Sequence, residues 1–234
     1  MQFDNIVLGA SFFGCGLACA LEGHTLVLES SVVPGGDFSL QFESGTEWDS
    51  SLSNSEAVEF KAELLRRNAL DGSGRLCIAA LAPLLAQWCA NHNVAIEYSC
   101  DVLQHDGRNV IAIGVDGPKQ YSARRIADAC PVPGPQKFLT ALVTAPSFMP
   151  DGCMGPFILR QSIVQGEFHL SFSVPGDSTW SEARAMFHRA WDMRPAALKF
   201  SSILLVGTRF SCHNHSNPVF ALDAGLSYGR QSHE

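Results

Sequence analysis

The first thirty-six residues carry the pattern that most restricts what this chain can fold into. Residues 5–8 form a short apolar run typical of a buried strand, and Gly9-Ala10-Ser11-Phe12-Phe13-Gly14 follows it directly. Small and apolar residues over positions 15–22 suit a helix packed closely on a sheet. A second strand is predicted at residues 25–28, and it ends at Glu29. Strand, glycine turn, helix, strand and acid is the order of a dinucleotide-binding βαβ unit.

Each part of this unit has a physical role. Gly9 permits the tight turn out of the strand, and Gly14 lets the helix pack against it. The helix N-terminus offers free N–H groups and the positive end of a dipole to a pyrophosphate. Glu29 lies 20 residues after Gly9, the spacing at which an acid reaches a ribose hydroxyl. Ser11 replaces the middle glycine; its hydroxyl can bind a phosphate, but its Cβ limits how closely the backbone approaches. An α/β domain with an empty turn is the alternative.

The segment after Glu29 also indicates a ligand-binding site. Ser30 follows Glu29 directly, and a Pro-Gly-Gly turn brings Gly35 and Gly36 into the next loop. Such a turn lets the backbone pass close to a bound molecule.

Composition excludes several classes of protein. The chain has 234 residues, 46% of them hydrophobic and 17% charged, which supports a sizeable core and argues against disorder. The net charge is −7 and no basic run is present, so nucleic acid is not an expected partner. No apolar run approaches the ~18 residues that cross a bilayer, and no signal peptide is visible. Eight cysteines without a CxxC pair indicate free thiols in a reducing cytoplasm.

The remaining pattern predicts a mixed α/β chain. Helices are expected over residues 56–70 and 78–91, followed by a strand at 94–103 and further strands at 109–115, 121–123 and 125–129. Prolines near 131–135 mark a boundary. After it come a strand at 138–144, a hairpin over 157–164 and 167–174, and a helix at 179–191. A short strand at 198–200, a buried strand at 203–207 and a last helix from Asn217 to Tyr228 complete the prediction.

Four segments in this order resemble the FAD-dependent oxidoreductase family of the glutathione-reductase type. The glycine turn with Glu29 is similar to the nucleotide fingerprint, and Cys100-Asp101-Val102 to the strand that contacts adenine. Residues 125–130 are similar to the strand that usually ends in Ala-Thr-Gly near the flavin. Residues 204–208, with 217–225, resemble the closing strand and helix. Ser11, Cys130-Pro131 and Thr208 depart from the family pattern.

The resemblance implies a Rossmann-like FAD/NAD(P)-binding fold with a central parallel sheet and a β-meander. Residues 1–135 would form its main part, residues 136–201 a small α+β substrate domain, and residues 202–234 the closing strand and helix. The cofactor would be FAD. The residues assigned to it are Gly9, Ala10, Ser11, Phe12, Phe13, Gly14, Glu29, Ser30, Gly35, Gly36, Val102, Ala129, Gly207, Thr208 and Asn217.

Few side chains are candidates for chemistry, because the flavin itself carries the redox reaction. If the strand ends as in the family, Cys130 lies near the cofactor as a nucleophile or redox partner; a buried, inert cysteine is the alternative. His213 and His215 lie in a polar loop and would contact substrate or flavin. Arg160 and Arg209 are candidates for substrate contact. The two histidines have no third partner in sequence, so no metal site is expected.

Three functions stay open at this point. The first is an FAD-dependent oxidoreductase that passes hydride from a small-molecule substrate to flavin; no second nicotinamide-binding unit is evident. The second is a thiazole-synthase-like enzyme that uses NAD, which residues 31–36 and Cys130 before Gly134-Pro135 resemble. The third is a nucleotide-binding domain without catalysis. A homo-oligomer is compatible with all three.

Overall fold

A computed structural model describes residues 2–130, 136–145, 149–210 and 215–231, without the side chains of residues 209 and 210. Two β-sheets organise these residues. A six-stranded mixed sheet has the strand order β3-β2-β1-β6-β5-β4, and a five-stranded antiparallel sheet has the order β11-β7-β10-β9-β8.

The first sheet contains the predicted βαβ unit. Its strands are β1 (Gln2–Leu8), β2 (Thr25–Leu28), β3 (Ala95–Glu97), β4 (Asp101–His105), β5 (Asn109–Gly114) and β6 (Gly117–Asp128). Strand β1 runs parallel to β2 and to the second half of β6, while β4, β5 and the first half of β6 form an antiparallel meander. The expected Rossmann-like sheet with a β-meander is therefore confirmed.

Four helices lie between strands of this sheet in the chain: α1 (Phe12–Ala20) between β1 and β2, and α2 (Gly36–Ser39), α3 (Ser55–Arg66) and α4 (Leu81–Asn91) between β2 and β3. Their apolar faces share one core with β1 and β2, in which Phe12, Phe60, Leu64 and Leu85 are almost completely buried. This core holds the start of α1 in place, because Phe12 packs edge-on against Phe38 and tilted against Phe60.

The second sheet lies beside a helix and has a core of its own. Its strands are β7 (Lys137–Thr144), β8 (Gly152–Met154), β9 (Phe157–Gln161), β10 (Glu167–Val174) and β11 (Ser202–Phe210). The predicted hairpin is confirmed as β9 and β10, which pair antiparallel. Helix α5 (Trp180–Asp192) begins at a capping box in which Thr179 and Glu182 satisfy each other's backbone N–H groups. Phe157, Phe187 and Trp191 join the helix to the sheet.

The last helix, α6 (Pro218–Gln231), packs directly on α1. The two backbones approach so closely that a Cβ at Gly225 would lie 2.0 Å from the Phe13 carbonyl oxygen. A Cβ at Gly16 would lie 2.2 Å from the carbonyl oxygen of Leu222. Glycine is therefore required on both helices. The close packing of α6 on α1 holds α1 in place beside β1 and β2, the two strands that it connects.

Three predicted strands are wrong in detail. The strand expected at 94–103 divides into β3 and β4, because Ser99 adopts a left-handed conformation (φ 52°) and turns the chain. The strand expected at 198–200 is replaced by a 3₁₀ turn at Ala196–Leu198. The strand expected at 203–207 exists as β11, but it pairs with β7 at the edge of the second sheet, and Leu204, Leu205 and Val206 are about half exposed.

None of the helices in the described ranges combines the length and the apolar character needed to span a bilayer.

Candidate functional site

The glycine turn joins β1 to α1 as the sequence predicts. Gly9 has a φ of +92°, a conformation that L side chains rarely adopt. A Cβ at Gly14 would lie 2.2 Å from the Gly9 carbonyl oxygen, so only glycine allows α1 to start this close to the strand. Ser11 is the N-cap: its hydroxyl accepts the Gly14 N–H at 3.0 Å and donates to the Ala129 carbonyl at 2.9 Å. Its hydroxyl is therefore engaged within the protein.

Glu29 ends β2 beside this turn. One carboxylate oxygen accepts the Ala10 N–H at 2.6 Å, and the other accepts the Ser31 N–H at 2.8 Å. The side chain thus ties the glycine turn to the loop after β2. Gly35, with φ +69°, completes this junction by donating its N–H to the Ala10 carbonyl at 2.7 Å.

Asp37 is a site residue that the sequence reasoning missed. Its two carboxylate oxygens lie 3.3 and 3.4 Å from the Phe12 nitrogen, the first amide of α1. Burial raises the pKa of Asp37 to about 7, and the nearby Glu29 adds to the increase, while the Phe12 N–H opposes it. The only sequence signal was an acid directly after Gly35-Gly36. Its contact with α1 depends on how that loop folds back.

A cavity of about 900 Å³ opens at the carboxyl ends of β1 and β2. This is the edge where ligands bind in parallel α/β sheets, and the volume lies within the range typical of ligand pockets. The predicted cofactor or catalytic residues that line it are Gly9, Ser11, Glu29, Ser30, Gly36, Val102, Cys130, Gly207 and Thr208. Lining residues that the sequence reasoning missed include Asp37, Asp101, Gln104, Asp128 and Arg184.

The two walls of the cavity come from different sheets. Gly207 and Thr208 were expected in the closing strand of the parallel sheet, but they reach the cavity from β11 of the antiparallel sheet. A Cβ at Gly207 would lie 2.9 Å from both Phe42 and the Thr140 hydroxyl, so the wall is tightly packed here. Arg184 of α5 adds an exposed cation to the same side, and it makes no hydrogen bond to the residues described.

Several residues predicted to bind the cofactor do not line the cavity. Phe12 is fully buried in the first core, and Ala129 is buried and accepts the Ser11 hydroxyl. Phe13 stacks on His215 at 5.7 Å between ring centroids. Asn217 is 3% exposed and uses its side chain to cap α6: its oxygen accepts the Phe220 N–H at 2.8 Å, and its nitrogen donates to the Thr46 carbonyl at 3.0 Å. Asn217 therefore stabilises the start of α6 and does not line the cavity.

Cys130 reaches the cavity but is not primed as a nucleophile. Its thiol donates to the Leu8 carbonyl at 3.6 Å, and the Asp128 carboxylate accepts the Cys130 N–H at 2.9 Å. Burial, followed by the hydrogen bond and negative charge of Asp128, raises the pKa of Cys130 to about 12. The thiol is consequently protonated at neutral pH, and thiolate chemistry gains no support from this geometry.

Of the two predicted histidines, only His215 lies within the described residues. His213 lies outside the described residues, as does the side chain of Arg209. His215 lies against Phe13 and Phe220, and burial lowers its pKa, so its ring is neutral at physiological pH. It does not line the 900 Å³ cavity. Over the described ranges, no group of three or more His, Cys, Asp or Glu side chains is arranged to hold a metal ion.

Arg160 lies on a second cleft of about 670 Å³ between the loops that flank α3 and the second sheet. This cleft is formed by the loop before α3, the turn at residues 70–75 and strand β9, and Trp48, Lys61 and Arg75 also line it. Arg160 is exposed there, opposite His169 in the strand register. The structure thus places Arg160 apart from the residues of the glycine turn.

Comparisons with known proteins give the fold a context. A scan against protein-family models gives no match, and a search of curated protein sequences gives none either. Among solved structures, the myxobacterial chondrochloren halogenase CndH, a variant of FAD-dependent halogenases, has a TM-score of 0.63 and 13% identity over 99% of this chain and 72% of that one.

Two further structures have the same fold. The OxyS anhydrotetracycline hydroxylase from Streptomyces rimosus has a TM-score of 0.58 and 13% identity, covering 98% of this chain and 60% of that one. A flavoprotein/dehydrogenase from Cytophaga hutchinsonii has a TM-score of 0.59 and 14% identity, covering 98% and 77%. This chain therefore spans about 60% of the length of several structures it matches.

At these identities the similarity establishes the fold alone, and it confirms the expected Rossmann-like architecture. The neighbours are a halogenase, a hydroxylase and a flavoprotein, so the glutathione-reductase type is matched only loosely. The NAD alternative receives no support from these comparisons.

Proposed function

We propose that this chain binds FAD in the 900 Å³ cavity and forms the cofactor-binding part of a flavin-dependent oxidoreductase that acts on a small molecule. The observation that carries the proposal is the joint placement of the glycine turn, Glu29 and Val102 around one cavity at the carboxyl edge of β1 and β2. The FAD-dependent halogenase and the flavoprotein with the same fold support the choice of FAD over NAD.

The residues present fit a dinucleotide. The turn is tight enough to need glycine at both ends, because a Cβ at Gly9 would meet the Cys130 sulfur at 3.1 Å and a Cβ at Gly14 would meet the Gly9 carbonyl oxygen at 2.2 Å. The start of α1 would hold the diphosphate, and Glu29 would hold the ribose. Val102 on β4 would contact the adenine, and Gly207 with Thr208 would contact the flavin side of the molecule from the opposite wall.

When bound, FAD would supply two-electron redox chemistry of the kind that hydride transfer from a small-molecule substrate requires. The chain's own part is to bind, orient and exclude water. Glu29 already holds the glycine turn in shape through Ala10 and Ser31. The Cys130 thiol stays protonated and adds an uncharged side chain to the wall. Neither residue has to move a proton for the cofactor to be held.

Substrate contacts are a further part of the proposal. Arg160 would attract a carboxylate or another anion into the second cleft, because its guanidinium is exposed there and a fixed cation favours anionic groups. Contacts from Arg209 and His213 with a substrate stay predictions from the sequence.

The proposal is tested by the spectrum and the bound cofactor of the purified protein. A yellow protein with oxidised-flavin bands, from which mass spectrometry identifies FAD, is the expected result. If the protein is purified without cofactor, FAD added at about 100 times its Kd should stabilise it by about 2.7 kcal/mol. At about 2–4 °C per kcal/mol for a chain of this size, the unfolding midpoint should rise by roughly 5–11 °C.

Other outcomes separate the alternatives. Release of NAD from the purified protein would favour the thiazole-synthase-like alternative. A colourless protein whose unfolding midpoint does not change with FAD, NAD or ADP would leave a nucleotide-binding fold without catalysis and would remove the oxidoreductase proposal.

A further inference from the structure

We infer that Asp37 is an internal anion that occupies the N-terminus of α1 and competes there with the diphosphate of the bound nucleotide. The inference rests on the proposed function, and it adds a residue that sets the affinity and charge preference of the site. Diphosphates bind helix N-termini through free N–H groups and the positive dipole end. In this chain a carboxylate already faces that position.

The contacts at α1 leave little of its N-terminus free. The Phe12 N–H faces both oxygens of Asp37 at 3.3 and 3.4 Å, and the Gly14 N–H is held by the Ser11 hydroxyl at 3.0 Å. Just before the helix, the Ala10 N–H is held by Glu29 at 2.6 Å. The Phe12 and Ala10 amides therefore already face the carboxylates of Asp37 and Glu29, so an incoming dianion meets two negative charges.

Of the two carboxylates, Asp37 is the one whose contact with the backbone a diphosphate can replace. Its contact with Phe12 is long and divided between two oxygens, whereas Glu29 makes two short bonds to separate amides. Asp37 also lines the cavity, so a ligand can reach it. Burial and the charge of Glu29 raise its pKa to about 7, which makes its neutral form accessible near physiological pH.

The other charged and titratable groups around Asp37 are few. Glu29 lies at the end of β2, and the buried, protonated Cys15 thiol lies within α1. Asp128 and Cys130 lie at the end of β6, and Arg184 faces the same cavity from α5. Among these described groups Arg184 is the one cation, and it makes no ion pair with Asp37, so the repulsion between Asp37 and a diphosphate is not neutralised at the Asp37 carboxylate itself.

The test compares FAD binding by the wild-type protein, Asp37→Asn and Asp192→Asn at pH 6 and pH 8, measured by calorimetry. If FAD binds only the neutral form of Asp37, the wild-type Kd should rise about tenfold between these pH values. Asp37→Asn should bind FAD about tenfold more tightly than the wild type at pH 8, with little pH dependence. Asp192→Asn is the matched control, since it makes the same substitution at an exposed residue at the end of α5 that does not line the cavity.

Adenosine is the matched ligand control, because it lacks the diphosphate. Its affinity should not change in Asp37→Asn. Equal tightening of FAD binding in Asp192→Asn, or an Asp37→Asn protein with the wild-type Kd and pH dependence, would overturn the inference.

A second measurement needs neither a variant nor a cofactor. In the ligand-free protein, the amide resonance of Phe12 should titrate with a midpoint near pH 7, and the same resonance should not titrate in Asp37→Asn. A Phe12 resonance that is constant from pH 6 to pH 8 in the wild type would refute the internal contact. A titrating resonance in a protein that binds no FAD at any pH would support the contact and overturn the proposed function instead.

Discussion

Replacing Glu29 by alanine tests how the glycine turn is held before any ligand binds. The substitution removes two hydrogen bonds from backbone amides to a carboxylate, at 2.6 Å to Ala10 and 2.8 Å to Ser31. Hydrogen bonds to charged groups contribute roughly 1.5–3 kcal/mol each. Because Glu29 is partly exposed, water will replace part of this loss, and the expected decrease in the free energy of unfolding is about 2 kcal/mol in total.

Urea unfolding followed by tryptophan fluorescence measures this loss, and the midpoint of thermal unfolding should fall by roughly 4–8 °C. Glu29→Gln keeps one acceptor oxygen, so we expect about half of the loss. Glu22→Ala is the control, because Glu22 is exposed and its substitution should change the free energy by less than about 0.5 kcal/mol. A Glu29→Ala protein as stable as the Glu22→Ala protein would refute the role of Glu29 in tying the two loops together.

Three further predictions concern groups buried outside the cavity. Asp223 on α6 is 5% exposed and accepts two backbone N–H groups just before α3 at 2.8–3.1 Å, so Asp223→Ala should cost ~3 kcal/mol or more in urea unfolding, whereas Asp223→Asn should cost less. Burial lowers the pKa of His169 to about 4. Below pH 6.5 the unfolded chain therefore binds more protons, and lowering the pH from 7 to 5 should destabilise the wild type by about 2 kcal/mol more than His169→Gln. Gly14→Ala should lose about 1–3 kcal/mol, because its Cβ would overlap a carbonyl oxygen at 2.2 Å; a variant that unfolds like the wild type would contradict the close approach of α1.

The sequence alone determined the βαβ unit and much of its site. Gly9, Gly14 and Glu29 are separated by fixed numbers of residues, and a strand, a tight turn and a helix of set length place them together regardless of what packs around them. The same local logic predicted the hairpin of β9 and β10 and the helix that begins at Thr179, because turn and cap signals lie within a few residues of the elements they define.

Only the tertiary structure decided which sheet receives β11 and which groups face the cavity. An apolar run such as residues 203–206 indicates a strand, but it does not identify the partner strand, and β11 paired with β7. Asp37 reached α1 only because its loop folds back across 25 residues of chain. The Cys130 thiol, on an exposed residue, took its raised pKa from local desolvation of its sulfur and from Asp128. Pairing partners, burial and local charge are properties of the packed chain, so residue spacing cannot report them.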